Sequence, residues 1–137
     1  MATSSDALPE SHPVARWHRI VATRDRAALA ALLADEVVFI SPVVHTPQRG
    51  KAIALAYLGA ALEAFLAPGF GYVRELVGER DAMLEFEATI EGIEVNGVDL
   101  LRWDAEGRIT EFKVMLRPLK AVNLMHQRMG ALLSKPG

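Results

Sequence analysis

Residues 83–90 alternate between apolar and polar from Leu84 onward, and this feature constrains the fold most. Leu84, Phe86, Ala88 and Ile90 fall on one side, Glu85, Glu87 and Thr89 on the other. Only an extended chain sends successive side chains in opposite directions, so these residues predict a half-buried β-strand. Such a strand needs paired neighbours and a cover for its apolar face. Residues 70–77, 98–103 and 109–117 read as those neighbours, with turns at 78–81, Glu91-Gly92 and Asp104-Ala105-Glu106-Gly107. In the last strand Phe112, Val114 and Leu116 face one way, and Lys113, Met115 and Arg117 the other. The second half of the chain therefore reads as an antiparallel meander.

The first half is helical. Ser11-His12-Pro13 marks a helix start with Pro at the first helical position, and Val14, Trp17 and Val21 follow at helical spacing. Asp25 is placed to cap a second short helix through Ala27, Leu29, Leu32 and Leu33. Val37-Val38-Phe39-Ile40 is a short strand, and Pro42, Pro47 and Gly50 mark a loop. Residues 51–67 form a third helix, stopped by Pro68-Gly69. Leu119, Val122, Met125, Met129 and Leu132 line one face of a C-terminal helix. Asn96-Gly97 fits either a two-residue hairpin turn or a bulge inside one long bent strand.

Helices grouped ahead of hairpin strands predict an α+β fold. The expected architecture is a cone-shaped roll: a strongly curved antiparallel sheet wrapped around the N-terminal helices, plus a C-terminal helix. Residues 1–11 are expected to be a flexible tail and residues 12–134 a single domain. A cone of this kind encloses an apolar pocket. Leu84, Phe86, Ala88, Leu101, Trp103, Phe112, Val114 and Leu116 are the expected lining.

Composition narrows the chemistry. Apolar residues make up 51% and charged residues 23%, which excludes disorder as the main state. A net charge of −2 argues against a nucleic-acid partner. The chain has no cysteine, which excludes disulfides, thiolate metal sites and a cysteine nucleophile. No apolar run reaches the length of a membrane span, and residues 1–10 lack the pattern of a secretion signal. A cytoplasmic location and no membrane partner are expected.

Asp99 is the acid of most interest, because Leu101 and Trp103 share its side of the strand. On a core face its carboxyl would lose hydration, its pKa would rise, and the neutral acid could donate a hydrogen bond to a ligand oxygen. The alternative is an Asp beside a bulge at Gly97, bonded to backbone N–H groups. Glu85 and Glu87 read as outward carboxylates facing Lys113 and Arg117, contributing little as exposed ion pairs. His12, His18, His45 and His126 show no metal-ligand spacing, so no metal and no cofactor are expected. His45, in the Pro-flanked loop after Ser41, is the histidine best placed to reach a pocket mouth, against a structural reading as a hydrogen-bonded loop residue. Ser41 lacks the GxSxG setting of a hydrolase nucleophile. Trp17 and Tyr57 lie on helices among apolar residues; each is either core or a polar handle through its N–H or O–H.

Three segments together resemble the nuclear transport factor 2-like superfamily, which includes ketosteroid isomerases, SnoaL-like polyketide cyclases and limonene epoxide hydrolases. They are Val14-Ala15-Arg16-Trp17 with residues 25–35, Phe39-Ile40-Ser41-Pro42-Val43 leading to Gly50, and residues 98–109, Val-Asp-Leu-Leu-Arg-Trp-Asp-Ala-Glu-Gly-Arg-Ile. The resemblance implies the cone fold. It also maps the isomerase machinery: the oxyanion-hole tyrosine falls on Trp17, the neutral aspartic acid on Asp99, and the general-base aspartate on Ser41, which has no useful basicity. The epoxide-hydrolase acid at the end of the last strand falls on Arg117. Residues 111–121 look like a bacterial family with no assigned activity.

The sequence thus predicts a protein that binds a hydrophobic, oxygen-bearing small molecule. Asp99, Trp17, Ser41, Tyr57 and His45 are its expected polar handles, and His45 is the nearest available base. The reaction expected is a cofactor-free isomerisation or cyclisation. The alternative is a non-catalytic domain that binds a ligand or forms a homodimer through its outer sheet face.

Overall fold

A computed structural model describes residues 8–65 and 69–134; the first residues of the expected tail and the expected end of the third helix lie outside them. Helix α1 (Pro13–Thr23) starts where the sequence places it, with His12 as the cap: its Nδ1 accepts the Val14 N–H at 3.1 Å. Helix α2 (Arg26–Leu32) is capped by Asp25, whose Oδ1 accepts the Ala28 N–H at 3.0 Å. The chain then enters strand β1 (Leu33–Ile40) with no intervening loop. That strand begins four residues earlier than the apolar run 37–40 indicates, because Leu33 and Ala34 are buried and fit either structure. Strand β2 (Gln48–Arg49) has only two residues and no pattern of its own; pairing with Val38 and Phe39 of β1 creates it.

Helix α3 (Lys51–Phe65) leads to strands β3 (Gly71–Val77), β4 (Asp81–Ile90), β5 (Ile93–Trp103) and β6 (Ile109–Arg117), then helix α4 (Leu119–Leu133). The sheet order is β2-β1-β6-β5-β4-β3. It is mixed rather than wholly antiparallel, because β1 runs parallel to β6. Register breaks fall between Leu33 and Val38, Tyr72 and Arg74, and Arg102 and Trp103. Such breaks bend a strand and increase its twist. They help curl the inner face around Val14, Trp17 and Ile20 of α1 and Leu58 of α3, all buried. The α+β cone is the observed fold. No helix among the described residues is long and apolar enough to cross a membrane.

Asn96-Gly97 is neither a turn nor a bulge. The turn lies at Glu91-Gly92, both with positive φ, and β5 then pairs without a break through Asn96 opposite Glu87 and Gly97 opposite Phe86. Glycine is needed at 97 for space: a Cβ there would lie 2.5 Å from Phe86 Cζ and 2.7 Å from the Met115 carbonyl oxygen. Glu85 faces outward as expected, but its charged partner is Arg74 at 3.1 Å, not Lys113 or Arg117, and Asn96 Nδ2 donates to its other oxygen at 3.0 Å. Strand β5 stands between β4 and β6 and keeps those cations away.

Candidate functional site

Strand β5 carries Asp99 to the inner face along with Val95, Leu101 and Trp103. Asp99 is 6% exposed and is the one buried charged or polar residue among those described. Removal from water disfavours its carboxylate and pushes its pKa up to about 7, while a hydrogen bond from Tyr72 pulls the other way. The Tyr72 hydroxyl donates to Asp99 Oδ2 at 2.7 Å and accepts from Trp17 Nε1 at 2.8 Å. Helix α1, strand β3 and strand β5 thus contribute one residue each to a line, Trp17 to Tyr72 to Asp99. Burial, then the Asp99 charge, pushes the Tyr72 phenol well above its ordinary value. On the solvent side His18 Nε2 meets the Glu75 carboxylate, and the His18 ring stands edge-on to Tyr72 with centroids 5.0 Å apart.

Trp17, Tyr72 and Asp99 form the polar edge of a recess. Its apolar wall comes from Leu58, Leu62 and Phe65 of α3 and from Phe86, Phe112 and Val114 of the sheet, with Phe70 beside them. The enclosed volume is about 40 Å³, within about 380 Å³ of free space that includes the open mouth. The enclosed part has room for roughly three waters. Space for a ring-sized molecule would require the lining side chains to move.

Of the residues singled out in the sequence, Trp17, Asp99, Phe86, Phe112 and Val114 come together here. Leu84, Ala88, Leu101 and Trp103 are buried on the same face but are not part of the recess wall. Leu116 is half-buried and packs over Gly97. Tyr57 is half-buried on α3, its ring 5.4 Å from that of Phe39 and outside the recess. Ser41 borders a neighbouring recess, and its Oγ accepts the Val43 N–H at 3.1 Å. His45 is exposed in the β1–β2 loop and lines neither recess. That loop belongs to the β2 edge of the sheet, whereas Tyr72 stands on β3 at the opposite edge. No three His, Asp or Glu side chains among the described residues converge as metal ligands would.

Tyr72 is the residue that sequence reasoning missed. Strand β3 shows no alternation, because its register breaks between Tyr72 and Arg74 and hides which way each side chain points. Its phenol in an otherwise apolar or charged strand was the available signal.

Comparison with known proteins places these features. Residues 14–112 match the SnoaL-like domain. A steroid Delta-isomerase from Nocardioides simplex is 30% identical over 109 residues, 77% of this chain and 87% of that protein. The crystal structure of a steroid delta-isomerase from Pseudomonas aeruginosa superposes with a TM-score of 0.84 at 35% identity, covering 89% of each chain. A bacterial protein with a cystatin-like fold from Silicibacter pomeroyi gives a TM-score of 0.80 at 32% identity, covering 87% of this chain and 83% of that one. Match length, identity and fold agree, and the chain belongs to the SnoaL-like domain family within the nuclear transport factor 2-like superfamily.

Proposed function

We propose that the recess binds a hydrophobic small molecule by one carbonyl oxygen and promotes its enolisation, in a cofactor-free reaction of the isomerase or cyclase type. The observation that carries this reading is the Tyr72–Asp99 hydrogen bond in an otherwise apolar wall. Counting protons shows what it can do. With Asp99 ionised, the Trp17 N–H is used by Tyr72 and the Tyr72 O–H by Asp99, so no donor is left for a ligand. Protonating Asp99 adds a third hydrogen to the same two internal bonds. One O–H is then free to point at a ligand oxygen. In a site with little water, that donor stabilises the negative charge that grows on the carbonyl oxygen as the proton of the neighbouring carbon passes to a water molecule at the recess mouth. Asp99, with a pKa near 7, can hold or release the proton around neutrality. Names of the relatives at 30% and 35% identity point to the same reaction type.

Acetophenone tests the reading, since its oxygen can only accept. Its affinity should fall about tenfold per pH unit above pH ~7, one proton being taken up on binding. Asp99→Asn should make binding independent of pH, and Asp99→Leu should weaken it about tenfold at pH 6. Exchange of the acetophenone methyl hydrogens in heavy water reads enolisation directly. Affinity that ignores pH in the unaltered protein would refute the donor role. PH-dependent binding without exchange favours the non-catalytic ligand-binding alternative.

The outer face of the sheet favours a homodimer as a partner reading. Leu76, Met83 and Leu100 lie side by side across β3, β4 and β5, next to Val98 and Met115. Leu76 is 49% and Met115 54% exposed. Apolar side chains gathered on one outer face are better covered by a second copy than by water.

A further inference from the structure

We infer that His18 and Glu75 are positioning residues: by tying the edge strand β3 to α1, they hold the Tyr72 phenol between Trp17 and Asp99. What this means for ligand binding rests on the oxygen-binding role given to Asp99.

Glu75 owes its place to the register break in β3. Tyr72 and Glu75 are three residues apart, and a regular strand would send them to opposite faces. The break between Tyr72 and Arg74 leaves Val73 without a partner in the ladder and 54% exposed. Tyr72 then stands opposite Phe86 and Glu75 opposite Leu84, both buried on the inner face, while Arg74 stands opposite the outward Glu85. One extra residue thus puts a carboxylate on the concave face, with its side chain 14% exposed. Glu75, Leu84 and Asp99 form one row across β3, β4 and β5. Tyr72 belongs to the next row, with Phe86 and Gly97, so its ring leans toward the row of Glu75 to reach Asp99.

That leaning ring is braced from α1. Strand β3 has a strand on one side only. Trp17 Nε1 donates to the phenol oxygen, and the next residue, His18, sets its ring edge-on to Tyr72 at 5.0 Å. The buried Nε2 of His18 meets Glu75 Oε1 as an ion pair rather than an aligned hydrogen bond. Nε2 carries a hydrogen there, since a bare lone pair would repel the carboxylate. Two consecutive residues of α1 therefore grip two residues of β3. Asp99 and Glu75 are the charges that act on the phenol. Arg74 and Glu85 pair on the outer face, and α3 brings apolar Leu58 and Leu62 to the recess. Glu75 lies two strand spacings, roughly 10 Å, from Asp99, so its effect on that carboxyl passes through Tyr72. The Tyr72 O–H favours ionised Asp99, so a firmly held phenol keeps the exchange of the Asp99 proton close to neutrality.

The Asp99 carboxyl-carbon NMR signal, assigned by its absence from Asp99→Asn, tests this as pH is varied. His18→Phe keeps a ring against Tyr72 but removes the donor to Glu75, and Glu75→Leu removes the acceptor. Each should shift the Trp17 indole N–H resonance and raise the Asp99 midpoint by about 0.5–1 pH unit. In a Tyr72→Phe background neither should move the midpoint, because the phenol they act through is gone. Arg74→Gln breaks the outer-face pair of the same strand and should also leave the midpoint in place. An unmoved midpoint in both variants overturns the proposal. So does a fall in Glu75→Leu, or a rise that persists without the phenol, either of which marks a direct effect of charge. A rise of equal size in Arg74→Gln overturns it too, because strand pairing alone would then hold the phenol. The pH at which acetophenone affinity starts to fall should rise with the midpoint. Where the midpoint moves but acetophenone affinity ignores pH, the positioning role stands and the donor role of Asp99 fails.

Discussion

Tyr72 and Asp99 share a 2.7 Å hydrogen bond although their strands are not neighbours. Strand β4 lies between them: Tyr72 pairs with Phe86, and Asp99 with Leu84. The bond closes over β4 because the sheet curls and both side chains lean across its concave face. It consumes the one hydrogen Tyr72 can donate, while Trp17 occupies an acceptor site on the same oxygen. Stability and ionisation are therefore coupled through one carboxyl, and so is ligand binding in the function proposed above.

The first consequence is a stability that depends on pH. The folded pKa of Asp99, about 7, lies above its unfolded value of 3.8, so the folded state binds the extra proton. The stabilisation from that proton is full below pH ~4, fades between pH ~4 and ~7, and is absent above. Denaturation by urea should show Asp99→Asn more stable than the unaltered protein at pH 8, by a few kcal/mol, with the difference shrinking toward pH 5. An equal difference at both pH values would place the carboxyl in water.

Tyr72→Phe separates the hydrogen bond from burial. The bond favours ionised Asp99, so its loss should push the Asp99 pKa further up, read by carboxyl-carbon NMR. The Trp17 N–H and the carboxylate each lose a partner, at a cost of about 1–3 kcal/mol for a buried group left unpaired. The loss should be larger at pH 8, where Asp99 is charged, than at pH 5. A downward shift of the Asp99 pKa in this variant contradicts the observed bond.

Much of this was legible in the sequence, for physical reasons that also explain the gaps. Leu84, Phe86, Ala88 and Ile90 alternate because one face of β4 is buried and the other is not, so the strand and its inner face could be read directly. Asp99 could be placed on the same principle, from Leu101 and Trp103. Asp25 announced its helix by cap chemistry, and Pro13 announced the first helix by its place at the first helical position. Pattern reading failed where tertiary contact decides. Strand β2 exists only through its pairing with β1, the β1 start is one of two fits to buried leucine and alanine, and Tyr72 sits at a register break. Gly97 misled because glycine signals a turn, a bulge or a close approach, and only three dimensions tell them apart. Which residues meet in a recess depends on the curl of the sheet, so Tyr57 and His45 could not be sorted from Trp17 beforehand.

Gly97→Ala tests the close approach. The new methyl would strike the Phe86 ring tip, a Leu116 methyl and the Met115 carbonyl oxygen, two movable side chains and strand backbone. Overpacking of this kind costs about 1–3 kcal/mol. Adding Phe86→Leu removes the ring contact but not the carbonyl contact, so thermal unfolding should show partial rescue. Complete rescue would mean that only the Phe86 ring matters. A neutral Gly97→Ala would mean that β5 does not lie as close to β6 as observed.

The outer face supplies the last prediction. If a second copy covers Leu76 and Met115, the protein sediments at twice the mass of its 15.0 kDa chain. Leu76→Glu with Met115→Glu should convert it to the single-chain mass, because two acidic patches would then be pressed together and desolvated. Both positions are about half exposed in the single chain, so the double variant should fold with a stability change near ~0.5 kcal/mol per site. Retained far-ultraviolet circular dichroism alongside halved mass is the expected pair of results. A protein that sediments as a single chain before any substitution, at concentrations up to about 100 µM, would show that this apolar face is left to water or to a different partner; stable interfaces need roughly 800 Å² from each copy, and one that large should hold at micromolar concentration.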